Sequence, residues 1–191
     1  MAFTIIYIST IAWIFPIFRQ FRCNLFYFFL LLGLSEPLST VAVKVFYLRP
    51  EIIQVIIAPI LFYTINIDRQ KKFIINKLDI FIFVLSYVLF FLIKNYNITL
   101  LIIYTFILIR VIFKNIIELH LHQKINIVHL VLAFYMISSV ASLIIYLNGD
   151  HTGIVLFYIN LAFQTLIAIF FSIFREDNPK LTYRIVQATE D

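Results

Sequence analysis

Glycine, cysteine and charge are what this chain has least of. Three glycines and five prolines in 191 residues leave little material for long loops, so most of the chain must lie in regular elements. The single cysteine, Cys23, excludes an intramolecular disulfide and any multi-cysteine metal centre; taken alone it reads as an inert thiol at a cytoplasmic helix end. Charged residues make up only 13% of the chain against 63% hydrophobic, and the mean hydropathy is +1.00. A soluble domain is about half apolar and about a quarter charged. No soluble core hides this much apolar surface, so the surrounding solvent must be lipid. Catalytic signatures are missing as well: there is no nucleophile elbow, P-loop, dinucleotide loop or HExxH motif. No enzymatic activity and no cofactor are therefore expected.

What is present is a series of apolar segments. Seven are drawn: Ala2–Phe18, Leu25–Leu48, Ile52–Ile67, Leu78–Ile93, Ile98–Ile117, Ile127–Leu147 and Gly153–Phe174. Residues 1–18 carry neither a basic leader nor a small-x-small cleavage site, so they read as the first span rather than a signal peptide. A span needs about 20 residues, and the third and fourth segments fall short of that, so local thinning or snorkelling must make up the difference. The expected fold is all-α and integral to the membrane, with a seven-helix bundle over 1–174 and a tail over 175–191. The tail has no core of its own and reads as disordered, although Leu181, Tyr183 and Ile185 alternate as in a strand that adds to a partner.

The net charge of +5 suggests a nucleic-acid binder only if its distribution is ignored. With the N-terminus outside, twelve basic residues fall on the inner side: Arg19, Arg22, Arg69, Lys71, Lys72, Lys77, Arg110, Lys114, Lys124, Arg175, Lys180 and Arg184. Only Lys44, Arg49 and Lys94 fall outside, and this asymmetry orients the chain N-out and C-in. An internal echo supports a 3+1+3 arrangement. Leu38–Glu51 and Ile137–Asp150 share five identical positions of 14, namely Ser39/Ser138, Val41/Val140, Ala42/Ala141, Tyr47/Tyr146 and Leu48/Leu147. Spans 1–3 and 5–7 would then be parallel copies joined by the fourth. Gly33 is the one glycine inside a span and no GxxxG exists, so helix association is expected to rest on small residues such as Ser138, Ser139, Ala141 and Ser142.

Few polar groups lie at membrane depth. Glu36, beside Pro37 near the middle of the second segment, reads either as a proton or cation site or as a neutral carboxyl bonded to a neighbouring helix. Arg110 is the only arginine embedded in a span; it either pairs with Glu36, whose height differs from its own by only about 5 Å, or snorkels to the headgroups. Asn160 and Gln164 share one face of the last segment and read as bridges to another helix or as the lining of a polar cavity. Gln54, Thr64 and Asn66 offer the same alternatives on the third. Glu118, His120, His122 and His129 cluster between the fifth and sixth segments. A metal needs several converging ligands, yet only Glu118 and His122 share a helix face, so these read as solvated loop residues.

Three features together resemble the small seven-helix membrane modules that bacteria use as sensors, alone or beside histidine kinases. They are the aromatic-basic run Phe18-Arg19-Gln20-Phe21-Arg22, the pair Ser35-Glu36, and the last span carrying Asn160 and Gln164. The resemblance implies a receptor-like sensor or a membrane subunit of a larger assembly, with the bilayer and a protein at the cytoplasmic face or within the membrane as partners. The topology also resembles 3+1+3 sugar transporters, but their Pro-Gln dipeptide is missing, since Pro16, Pro37 and Pro59 precede Ile17, Leu38 and Ile60. Transport of a small solute or proton through Glu36 is the alternative. Microbial rhodopsins share the span count but need a lysine in the last span, and Gly153–Phe174 has none.

The orientation is open to a direct check. In intact cells, a thiol introduced by Gly149→Cys is expected to react with an impermeant maleimide, and one introduced by Gln70→Cys is not. The reverse pattern overturns the orientation.

Overall fold

In a computed structural model, residues 2–65, 75–93, 95–148 and 153–184 are described, and they form seven α-helices, a short 3-10 turn and a two-stranded ribbon. The helices are α1 (Ala2–Arg19), α2 (Phe26–Phe46), α3 (Pro50–Thr64), α4 (Lys77–Leu92), α5 (Tyr96–His122), α6 (Ile127–Asn148) and α7 (Gly153–Ile173). The all-α architecture expected from the sequence is present. Four stretches are long and apolar enough to cross a bilayer: Phe26–Phe46, Tyr96–His122, Ile127–Asn148 and Val155–Ile173. The third and fourth helices are the short ones, at 15 and 16 residues. At about 1.5 Å per residue they fall several ångströms short of a core of about 30 Å. Asn66, the run Arg69–Lys72, Lys94, Gly149, Asp150 and Ile185 lie outside the described residues.

Local chemistry explains several helix ends. Pro50 opens α3 at a position where its missing N–H costs nothing. Asn76 and Asp79 form a reciprocal capping box at the start of α4, in which Asp79 accepts from the Asn76 amide at 2.8 Å. Asn95 and Asn126 cap the starts of α5 and α6 by accepting from Asn97 N and Val128 N. Pro37 and Pro59 lie inside α2 and α3, where their rings leave a carbonyl one turn earlier without its helical donor.

The helices pack in a closed ring of six, α1–α2–α3–α5–α6–α7, with α7 returning to α1. Helix α4 lies outside the ring, against the seam between α3 and α5. Shifting every helix label from the first triplet to the second reproduces the same neighbours. Within the echo, Ser39 and Ser138 are both buried, and Tyr47 and Tyr146 are both exposed.

The core is concentrated towards one end. Phe28, Phe29 and Leu32 of α2, Val128, Leu132 and Met136 of α6, and Ile167, Ala168 and Phe171 of α7 are buried there. An aromatic layer crosses it: Trp13 meets Tyr135 at 4.7 Å and Phe171 at 6.4 Å between centroids, and Phe29 meets Phe171 at 4.7 Å. Four helices, α1, α2, α6 and α7, each supply a ring.

One expectation about packing is overturned. Helix association does use glycine, because Gly33 lies directly against the backbone of α1. A Cβ there would come within 2.6 Å of the Trp13 carbonyl oxygen and 2.8 Å of Ile17 Cδ1. No repeated motif announces this site, since a single glycine is enough when the opposing surface is backbone rather than a second glycine. Gly33→Ala is expected to force α1 and α2 apart and to destabilise the protein by about 1–3 kcal/mol, read as a lower thermal midpoint in detergent. An unchanged midpoint would show that the two helices are not in fixed contact.

Candidate functional site

Two polar arrangements stand on either side of the aromatic layer. The first gathers helix ends. The C-terminal ends of α1, α5 and α7 meet the N-terminal ends of α2 and α6, which also makes these helices alternate in direction. His129, two residues into α6, is buried, with its Nδ1 2.8 Å from Glu118 Oε2 at the end of α5 and its Nε2 3.0 Å from Glu176 Oε1 just beyond α7. Glu176 is fixed on every side. Its Oε2 accepts from the Leu25 amide at 2.9 Å, and its own amide donates to Gln20 Oε1 at 3.0 Å. Gln20, fully buried, donates through Nε2 to the carbonyls of Phe171 and Phe174, which the end of α7 leaves without helical donors. Arg19 does the same for Ile173 O at 3.0 Å, and Asn115 donates to His129 O at 3.2 Å.

This corrects two expectations. His129 is not a solvated loop residue: it starts a helix and faces inward, while His120 and His122 remain exposed. The tail is not disordered through its described length. Thr182–Arg184 pairs antiparallel with Lys124–Asn126, in the register Lys124↔Arg184, Ile125↔Tyr183 and Asn126↔Thr182. Tyr183 of the alternating run lies in a strand on the chain's own α5–α6 turn, while Leu181 ends the 3-10 turn that precedes it. Cys23 lies under this tail; it is buried, and the Arg175 guanidinium approaches its sulfur at 3.7 Å. Among the described residues, no three His, Cys, Asp or Glu side chains are placed to hold a metal ion.

The second arrangement surrounds Glu36. By helical register Glu36 shares the inward face of α2 with Phe29, Leu32 and Ser39, all of them buried. Glu36 itself is exposed, whereas its neighbours along this face are packed. Ser39, one turn away, has a buried hydroxyl with no hydrogen-bond partner among the described residues. Of the two readings of Arg110, a pair with Glu36 or a snorkelling side chain, the pair is not among the ion pairs of the described residues. Arg110 lies half-buried on α5. Depth along the bilayer does not decide such a pair: the helices carrying the two residues are separated in the ring by α3.

Asn160 and Gln164 bridge to α6. The Ser138 hydroxyl donates to Asn160 Oδ1, and Asn160 Nδ2 donates to Ser142 Oγ. Gln164 Nε2 reaches Ser138 Oγ at 3.5 Å and Ser139 Oγ at 3.4 Å. Ser139 in turn donates to the Tyr135 carbonyl, so a polar seam runs down the α6–α7 contact towards the level of Glu36. No family model, no curated protein and no solved structure matches the chain.

A double-mutant cycle tests the seam. Ser138→Ala and Asn160→Ala are expected to couple by about 0.5–1.5 kcal/mol in reversible unfolding from detergent. Strict additivity would mean that the two side chains do not act as a pair.

Proposed function

We propose that this chain is a multi-pass protein of the cell membrane with seven spans, N-terminus outside and C-terminus cytoplasmic, acting without catalysis as a receptor-like sensor or as the membrane subunit of a larger assembly. The basic residues at the clasped ends of α1, α5 and α7 support that orientation. The partners are the bilayer and a protein at the cytoplasmic face or within the membrane. Glu36, with Asn160 and Gln164 on the polar seam, forms the receiving side, and the tail is the output.

The observation that carries this reading is the aromatic layer. Trp13, Phe29, Tyr135 and Phe171, from α1, α2, α6 and α7, pack together between the level of Glu36 and the helix ends that hold the tail. A translocation pathway needs polar groups leading onward from an intramembrane carboxylate. Here the next two turns of α2 present Leu32, Phe29 and Phe28, all buried. Apolar packing next to Glu36, with a tail fastened to the same helices, favours passing on a change of packing over passing a solute.

Proteoliposomes containing the purified chain and a trapped pH-sensitive dye separate the two readings. The sensor reading expects an imposed proton gradient to decay no faster than in protein-free vesicles. It also expects Glu36→Gln to leave the thermal midpoint within a few degrees, with Glu36→Leu lowering it further. A proton flux abolished by Glu36→Gln would overturn the sensor reading in favour of transport.

A further inference from the structure

The groups around His129 determine the proton count of its ring. An ionised carboxylate has oxygens that only accept hydrogen bonds, and each ring nitrogen of His129 faces one such oxygen, at 2.8 and 3.0 Å. Both nitrogens must therefore donate, and an imidazole donates from both only as the cation. In the neutral ring, one nitrogen lone pair would point at a carboxylate oxygen, and the cluster would hold two uncompensated negative charges. The other charged group near the ring is Lys114 on α5, and Lys114 and His122 of the same helix lie near Glu118. Helix α1 contributes only the uncharged Gln20 to the cluster. Both of Glu176's other hydrogen-bonding partners, Leu25 N and Gln20 Oε1, come from the α1–α2 corner. One tail residue thus joins three parts of the bundle, and among the described residues His129 is the only cation it contacts.

We propose that His129 is a proton-controlled clasp: its imidazolium bridges Glu118 and Glu176 and holds the tail on the bundle, and loss of the ring proton releases the tail. The clasped form binds one proton more than the released form at the same alkaline pH, so raising the pH opens it. The inference does not depend on the sensor reading, because it concerns only what holds the tail. Release also has a built-in reporter. Arg175 and Glu176 cover the α1–α2 corner that contains Cys23, and this is the chain's only cysteine. Lifting the tail exposes its sulfur.

The test is the rate at which a soluble maleimide alkylates Cys23 in the full chain in detergent micelles. At each pH this rate is divided by that of a short cysteine peptide, which removes the ionisation chemistry of the thiol itself. In the wild-type protein the normalised rate is expected to be low near pH 6 and to rise on the order of tenfold or more by about pH 9, reversibly. His129→Gln is expected to react fast at every pH with the rise abolished. Glu176→Gln is expected to react faster than wild type at about pH 6, while Asp177→Asn, which alters only an exposed pair with Arg175, keeps the wild-type profile. Far-UV circular dichroism confirms that each variant retains its helices, and the wild-type pH series needs no variant at all. A normalised wild-type rate that stays flat across this range overturns the clasp, as does a helical His129→Gln protein that keeps the wild-type pH profile.

Discussion

One imidazole between two carboxylates organises an end of this molecule. Charged groups at the boundary of a lipid-bathed bundle are costly to bury singly, and cheap only when every donor finds an acceptor. The cluster around His129 meets that condition by drawing on five segments. Glu118 ends α5, His129 begins α6, Gln20 follows α1, Leu25 precedes α2 and Glu176 follows α7. None of these contacts is local. Together they define where three helices stop and two begin, and which ends lie side by side, so the ring order is enforced by hydrogen bonding as well as by apolar packing.

Above that cluster the bundle changes character. An aromatic layer fills the interior of α1, α2, α6 and α7, and beyond it hydroxyl and amide side chains join α6 to α7 while Val55, Ala58, Leu100 and Ile103 pack between α3 and α5. This division follows from what lipid offers. Apolar side chains gain little by leaving one hydrocarbon environment for another, so specificity in the open half falls to the serines of α6 and the amides of α7. At the junction of α1 and α2 specificity comes from the opposite device, the absence of a side chain at Gly33.

Much of the framework is legible in the residues. Segment limits read from hydropathy lie within a few residues of the helices, including the shortness of α3 and α4, because a lipid solvent makes apolar run length a direct signal. Asn160 and Gln164 read as helix bridges because amides at that spacing have few other uses in a span. The His129 cluster is not legible in the same way. His129 and Glu176 are 47 positions apart, and Gln20 and Glu176 are 156 apart, so no local pattern connects them. In sequence His129 groups with His120 and His122, solvated neighbours that face away from it in the fold. Glu36 and Arg110 match in depth along the bilayer, but depth carries no information about the ring order that separates them. The tail looks unstructured because seventeen residues have no core, yet this stretch borrows one from the bundle.

The seam between α1 and α7 imposes an order on biogenesis. Its closing hydrogen bonds join residues from the first and last helices of the ring, so they form only after almost the whole chain has been synthesised. Until then α1 has α2 as its only ring neighbour, and the face that will receive Trp13's partners Tyr135 and Phe171 lies open to lipid or to the insertion machinery. The first helix of the ring to be made is therefore among the last to be fully enclosed. A nascent chain that stalls before residue 171 holds an unfinished ring with its aromatic layer unassembled.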